Sequence, residues 1–427
     1  MRPRKKRGPK NRYIQSLRAR LDNDGTTTTQ IEHERPRLEL IAPAAIIHQV
    51  MADWFDMIHP VAPIFHRALF MQKLSDDDGS TALFLLVVSI CAAIVASIRR
   101  RRHLYGGISV DACLQLAERF GIWRPQNEIT LERALALYNL CIAVNHERGL
   151  DSPLSYRLCA ESSISAKYLV HESFDQMSFI DQQTLKRLYW LIYAHQCTCD
   201  MHGRQILILR HAHEAFGHLL PLEITDDQLL GGADTSGLEA ARPCFSYIPG
   251  LNALSKLFMI WHSSQAITTQ SMDNLHDHIM QVQRLLEDLP PELAWQPSHV
   301  GQFAFEVQKV NLKVTQLHIR SNILEQMNVL ARNQNMRVTP GAIIHERHRV
   351  VDELLDVLYN MPEDVFDANG YSIVPKIRDI GGALLDELRI GSQNFNLQAS
   401  INLDKLLAKL ESLDQRTTVQ TTNTELI

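Results

Sequence analysis

No acidic residue occurs in the first twenty positions, no cysteine occurs before position 91, and no Cys-x2-Cys pair occurs anywhere in the 427 residues. The missing pair removes the usual thiolate frame of a structural zinc site. The chain also lacks a G-x-S-x-G elbow, a G-x-x-x-x-G-K-[ST] loop and a G-x-G-x-x-G turn, so no motif-bearing hydrolase, nucleotidase or dinucleotide enzyme fits it. An α-helical enzyme without such a motif stays as a distant alternative. Glycine (19) and proline (17) are sparse, strand-like alternation is almost absent, and ILIL at 206–209 is too short to build a sheet. No repeat of fixed period is present. The basic N-terminus runs into polar DNDGTTTTQ rather than an apolar leader, and the seven cysteines are scattered. Both features point to a reducing, intracellular setting.

Positive charge is concentrated at one end. MRPRKKRGPKNRYIQSLRAR holds nine Lys or Arg, among them Arg2, Arg4, Lys5, Lys6, Arg7, Lys10 and Arg12, whereas the remaining 407 residues carry 34 basic and 48 acidic side chains. So dense a block of like charge cannot be buried. Apart from a role as a plain solvated tail, it suits phosphate contact or docking to a nuclear-import receptor. Such an arm would bind promoter DNA weakly and without sequence preference, at about 10⁻⁴–10⁻⁶ M at physiological salt.

The remainder reads as all-α. Residues 1–37 form the basic arm and a disordered linker, 38–415 a helical body, and 416–427 a disordered tail. Helical spacing predicts helices over 44–57, 81–103, 109–119, 128–148, 154–171, 182–203, 253–288, 302–332, 340–360, 376–389 and 400–413. Pro60 and Pro63 force an extended elbow after the first helix. Val307, Val310, Val314, Leu317 and Leu324 make a buried stripe, and the Gly, Pro and Asp of 217–250 predict a long surface loop that splits the body. ALFLLVVSICAAIVASI at 82–98 is only marginally long enough to cross a bilayer, and it reads as a buried helix capped by the arginines at 99–102.

Two histidine-rich segments test for metal. In HEAFGH, His213 and His218 are five apart and point about 140° away from each other on a helix, so they cannot grip one ion. His195, Cys197, Cys199 and His202 have suitable ligand types, yet Cys197 and Cys199 lie about 200° apart on a helix. The expectation is therefore a chain with no metal and no catalytic residues.

WFDMIHPVAPIFHRALF at 54–70, LKRLYWLIYAHQCTCDMHGRQ at 185–205, VQKVNLKVTQLHIR at 307–320 and VPKIRDIGGALLDEL at 374–388, set behind RPRKKRGPKNR at 2–12, resemble fungal binuclear zinc-cluster transcription factors. The likeness is to their basic linker and fungal-specific regulatory domain. It implies an all-α regulatory body with motif positions at Trp54, His59, Pro60, Pro63, Phe65, His66, Arg67, Arg187, Trp190, Tyr193, Gly203 and Arg204. It further implies a nuclear, DNA-associated regulator of a pathway or gene cluster, with the transcription machinery, a second zinc-cluster regulator or a second copy of itself as partners, and no membrane. Two departures matter. Ala194-His195-Gln196 stands where Asp-Arg is common, and the six-cysteine cluster that reads DNA in that family is absent from this chain, whether through loss or truncation. The alternative reading is a cofactor or inhibitor that does not itself bind DNA and pairs with a complete regulator.

Overall fold

A computed structural model describes residues 35–427, apart from 77–78, 125–128, 205, 207, 210–218, 231–245, 266–270, 297–300, 334–339, 391–395 and 419–427. Among the described residues there are helices and no strands. The first half comprises α1 (Ala44–Asp53), continued by a π-turn at Trp54–Ile58, then α2 (Arg67–Asp76), α3 (Thr81–Ser97), α4 (Val110–Arg119), α5 (Leu131–Arg148), α6 (Pro153–Tyr168) and α7 (Phe179–Met201). The second half comprises α8 (Asp226–Leu230), α9 (Ile248–Ser264), α10 (Met272–Leu285), α11 (Phe303–Asn333), α12 (Pro340–Asn360), α13 (Glu363–Asn369), α14 (Ile373–Ile390) and α15 (Asn396–Thr418).

Local chemistry sets the starts of these helices. Ser109, Thr130, Ser178 and Ser271 each accept a hydrogen bond from a backbone amide of the first turn, which satisfies a donor that no helical carbonyl reaches. Pro153 and Pro249 occupy first-turn positions where a missing N–H costs nothing. Gly149 ends α5 with φ +81°, a left-handed conformation that a Cβ disfavours.

Helix α3 is the axis of the first half. Every residue from Leu83 to Ser97 is buried, because α1, α4 and α5 pack around it. Among the described residues no single helix is long and apolar enough to cross a membrane; α3 passes such a test only together with α2, across a bend of 119°. The predicted helix to residue 103 ends earlier, at Ser97, and a 3₁₀ turn follows over Arg99–Leu104. Its arginines still hold the α3 terminus. Arg102 Nε donates to Val95 O at 2.7 Å, and Arg99 donates to the carbonyls of Ala96 and His146. Arg101 reaches the buried Asp53 at 2.9 Å, which also accepts from the Tyr105 hydroxyl at 2.9 Å.

Helix α11 is the axis of the second half, packed by α9, α10, α12, α13 and α14. Its predicted stripe of Val307, Val310, Val314, Leu317 and Leu324 is buried throughout. Lys313 pairs with Glu353 and, further along α11, Glu325 pairs with Arg347, with Arg320 between them reaching both Glu346 and Glu353, so α11 and α12 are antiparallel.

Two boundaries need correction. The 217–250 segment does not simply loop over the surface: it contains α8, Leu219 and Leu229 are buried, and Arg37–Ile427 forms one compact unit rather than a split body. Helix α15 runs to Thr418, three residues into the segment assigned to the tail.

Candidate functional site

The 54–70 and 185–205 segments, far apart in the chain, meet in the fold. Pro60 and Pro63 turn the backbone after the π-turn, and His59 Nε2 donates across that turn to Phe65 O at 2.8 Å. Trp54, Phe55, Phe65, Phe70 and Tyr247 pack edge-on or tilted around it, with centroids 5.0–5.8 Å apart in the Trp54–Phe55, Trp54–Phe65, Phe55–Phe70, Phe65–Phe70 and His59–Tyr247 pairs. Burial is the main reason that His59 is pushed down to about 4, against the pull of Asp226, so the ring is neutral and can donate once.

Arg187, on α7, clamps this elbow from behind. It is 2% exposed, and its guanidinium donates to Pro63 O at 3.1 Å and to Asp226 Oδ1 at 3.4 Å. Between a carbonyl and an amide N–H the roles of His66 are fixed: Nε2 donates to Asp226 O at 3.0 Å, and Nδ1 accepts from Leu69 N–H at 3.4 Å at the start of α2. Trp190 Nε1 donates to Leu219 O at 2.9 Å, and Gln183 Oε1 accepts from Leu222 N–H at 2.9 Å. The 219–230 segment is thus a third partner that satisfies groups buried by the other two. Tyr193 is buried edge-on to Trp190 and stacked on His262.

Arg67 and Arg204 differ from the rest. Arg67 pairs with Asp56 at 2.9 Å in a pair more than half exposed, and Arg204 pairs with an exposed Asp151, arrangements worth only about 0–1 kcal/mol each. Gly203 follows α7 with φ +75° and open space where a Cβ would stand, so its backbone conformation is the reason for glycine. Arg2, Arg4, Lys5, Lys6, Arg7, Lys10 and Arg12 lie outside the described residues, as do His213 and His218.

Behind the junction is a cleft of about 190 Å³, bordered by Ile58 and Val61 after the π-turn and by α5, α7, α9, α11, α13 and α14. Its walls are mainly apolar, with Tyr138, Ile142, Leu191 and Phe258 among them. Asn145, His146, His195, His202, Asn311 and Lys376 add a few polar groups, the pattern expected of a small-molecule site. For scale, a cavity of about 150 Å³ holds a benzene molecule. His146 is neutral: burial pushes it down to about 3, helped by Arg99, and its Nδ1 pairs with Ser97 Oγ at 2.9 Å. Lys376 is fully enclosed and pushed down to about 8 by burial; Nζ donates to Thr315 Oγ1 at 2.8 Å. A second, larger groove of about 560 Å³ lies beside α2, lined by Phe65, His66, Phe70, Leu83, Leu135 and Thr184.

Of the four metal-type side chains at 195–202, His195 and Cys199 join one cluster and His202 another. His195 Nε2 lies 3.6 Å from Cys199 Sγ and 3.6 Å from Cys141 Sγ, and it accepts from Asn145 Nδ2 at 2.8 Å. Cys159 completes that group. Its thiol is pulled down to about 5, chiefly by a hydrogen bond from Cys141 and also by His195, against its burial. Cys197 is separate, and burial pushes its thiol up. His202 turns instead toward His318 and Asp379. Sequence reasoning missed Cys141, Cys159, His318 and Asp379 because each comes from a different helix.

Comparison with known proteins agrees with the motif geometry. The chain is 20% identical over 415 residues to the maltose fermentation regulatory protein MAL33 of Saccharomyces cerevisiae, an alignment covering 93% of this chain and 80% of that protein. It is 21% identical over 187 residues to the cutinase transcription factor 1 alpha of Fusarium vanettenii, covering 42% of this chain and 20% of that one. No family model and no solved structure matches. The chain therefore resembles fungal regulators of gene expression, not enzymes, and does so over nearly all of its helical body.

Proposed function

We propose that this chain is a nuclear regulator of transcription whose helical body senses a small molecule in the cleft between α5, α7, α9, α11 and α14. The observation that carries the reading is the continuous likeness to MAL33 across 93% of the chain, which includes both segments that interlock at Arg187. The cleft supports it: it touches helices from both halves, so an occupant would stabilise the arrangement that it fits and could shift their relative packing by its differential affinity. The basic arm supplies the nuclear address and weak phosphate contact, and sequence choice falls to a DNA-reading partner, a zinc-cluster regulator that carries the cluster.

The arm gives a direct test. Changing Lys5, Lys6, Arg7 and Lys10 together to alanine removes four adjacent cationic contacts for an import receptor and should leave a fluorescent fusion in the cytoplasm. Nuclear accumulation equal to that of the parent chain would contradict the proposed address. A second reading, a cofactor or inhibitor that holds a complete regulator off DNA, predicts the same import but repression of the partner's target genes.

A further inference from the structure

We propose that His202, His318 and Asp379 form a binding site for one first-row divalent transition metal, with zinc the best match, fastening the end of α7 to α11 and α14. Nothing in this inference depends on the transcriptional reading. The three ligand atoms lie within 4.8 Å of one another. Asp379 Oδ2 is 2.8 Å from His318 Nε2 and 3.5 Å from His202 Nε2. Zinc–nitrogen and zinc–oxygen bonds of about 2.0–2.2 Å in a tetrahedron place neighbouring ligand atoms about 3.3 Å apart, a spacing that these two distances bracket.

The hydrogen-bond geometry of His202 makes the case for a cation. Its Nδ1 lies 2.7 Å from Thr198 O, and opposite a carbonyl that nitrogen must carry the hydrogen. In that tautomer the ring presents a bare lone pair at Nε2. That atom is buried, has no hydrogen-bond partner among the described residues, and faces a carboxylate oxygen, which is also a lone-pair donor. Two acceptors aimed at each other are unfavourable until a positive centre lies between them. The Nδ1–H to carbonyl bond is also the usual outer support of a metal-bound histidine, fixing both tautomer and ring orientation. His318 joins by moving its proton from Nε2 to Nδ1, which has no other partner among the described residues.

Two imidazoles and one carboxylate suit zinc and its first-row neighbours, and not magnesium or calcium, which want an oxygen shell. Asp379 is 39% exposed, which leaves an entry path and room for water as the remaining ligand. His202 also lines the cleft, so ion and effector sites share a side chain.

The test uses the full chain, stripped with a chelator and dialysed, then titrated with Co²⁺ followed by visible absorption and with Zn²⁺ by competition. One ion per chain is expected, with a rise in Tm on zinc addition that follows from binding to the folded state. His202→Ala and Asp379→Ala should each weaken binding by more than about 100-fold, since even outer-shell partners are worth about 10–100-fold. Because His318 is wholly buried and its variants could misfold, those two variants carry the test. Absence of bound ion, or binding unchanged in both variants, would overturn the site. Binding that survives both but is lost in Cys141→Ser and Cys159→Ser would place the ion on the thiol cluster and equally overturn it.

Discussion

Truncating Trp190 to alanine is expected to lower the unfolding free energy by about 3–5 kcal/mol, the range for removing a large buried aromatic. The ring is 0% exposed and edge-on to Tyr189 and Tyr193, so its loss leaves a cavity between helices that cannot fully close. It also removes the hydrogen bond to Leu219 O and loosens the 219–230 segment from α7. Trp190→Phe keeps most of the ring volume and loses the N–H, so it should cost clearly less than the alanine variant. Urea unfolding of the three proteins measures both steps. An alanine variant as stable as the parent would show that the junction of the two motif segments does not hold the body together.

Acid should destabilise the chain well before its carboxylates titrate. Burial holds His59 at about 4 and His146 at about 3 in the folded chain, against about 6.5 when unfolded. Between those values the unfolded chain binds protons that the folded chain refuses, so stability is fully present above about 6.5 and falls as pH drops toward 4. Each ring removes about 1.4 kcal/mol per pH unit once below its unfolded value, so the pair should cost about 4 kcal/mol between pH 7.5 and pH 5. His318, pushed down to about 4 by burial despite Asp379, acts in the same direction while no ion is bound. Burial lowers His195 but is outweighed by Cys199 and Cys159, so that ring is shifted the other way and opposes this trend above about 6.5. Unfolding free energies at pH 7.5, 6 and 5 check this, and His146→Gln should flatten the profile by one proton. A profile that is level from 7.5 to 5 would contradict the buried, neutral rings.

Much of this architecture was legible in the amino-acid order. Helical periodicity located nearly every long helix, because caps such as Ser109 and Thr130 and stripes such as Val307–Val310–Val314 are local signals. Seventeen uncharged residues at α3 marked a core helix once the following arginines were seen as partners of its carbonyls. The 217–250 segment was misread because its composition is that of a loop, while its role is set by distant partners: the Asp226 carboxylate accepts from the buried Arg187, and its backbone carbonyl accepts from His66. The cleft and both histidine clusters were not legible, since helical wheels compare residues on one helix and these groups come from several. The angle argument that separated Cys197 from Cys199 was sound, yet it could not see that His195 and His202 each meet ligands from elsewhere. Motif likeness marked Arg67 and Arg204 alongside Arg187, and only burial distinguishes a clamp from two surface ion pairs.

If the chain regulates transcription from within the nucleus, transcript profiling after deletion of its gene will show it. Cells lacking the chain should show a defined set of altered transcripts. The parent chain should restore that set, and the variant with Lys5, Lys6, Arg7 and Lys10 changed to alanine, retained in the cytoplasm, should not. Transcripts unchanged by deletion, or restored equally by a variant shown to be excluded from the nucleus, would contradict the account.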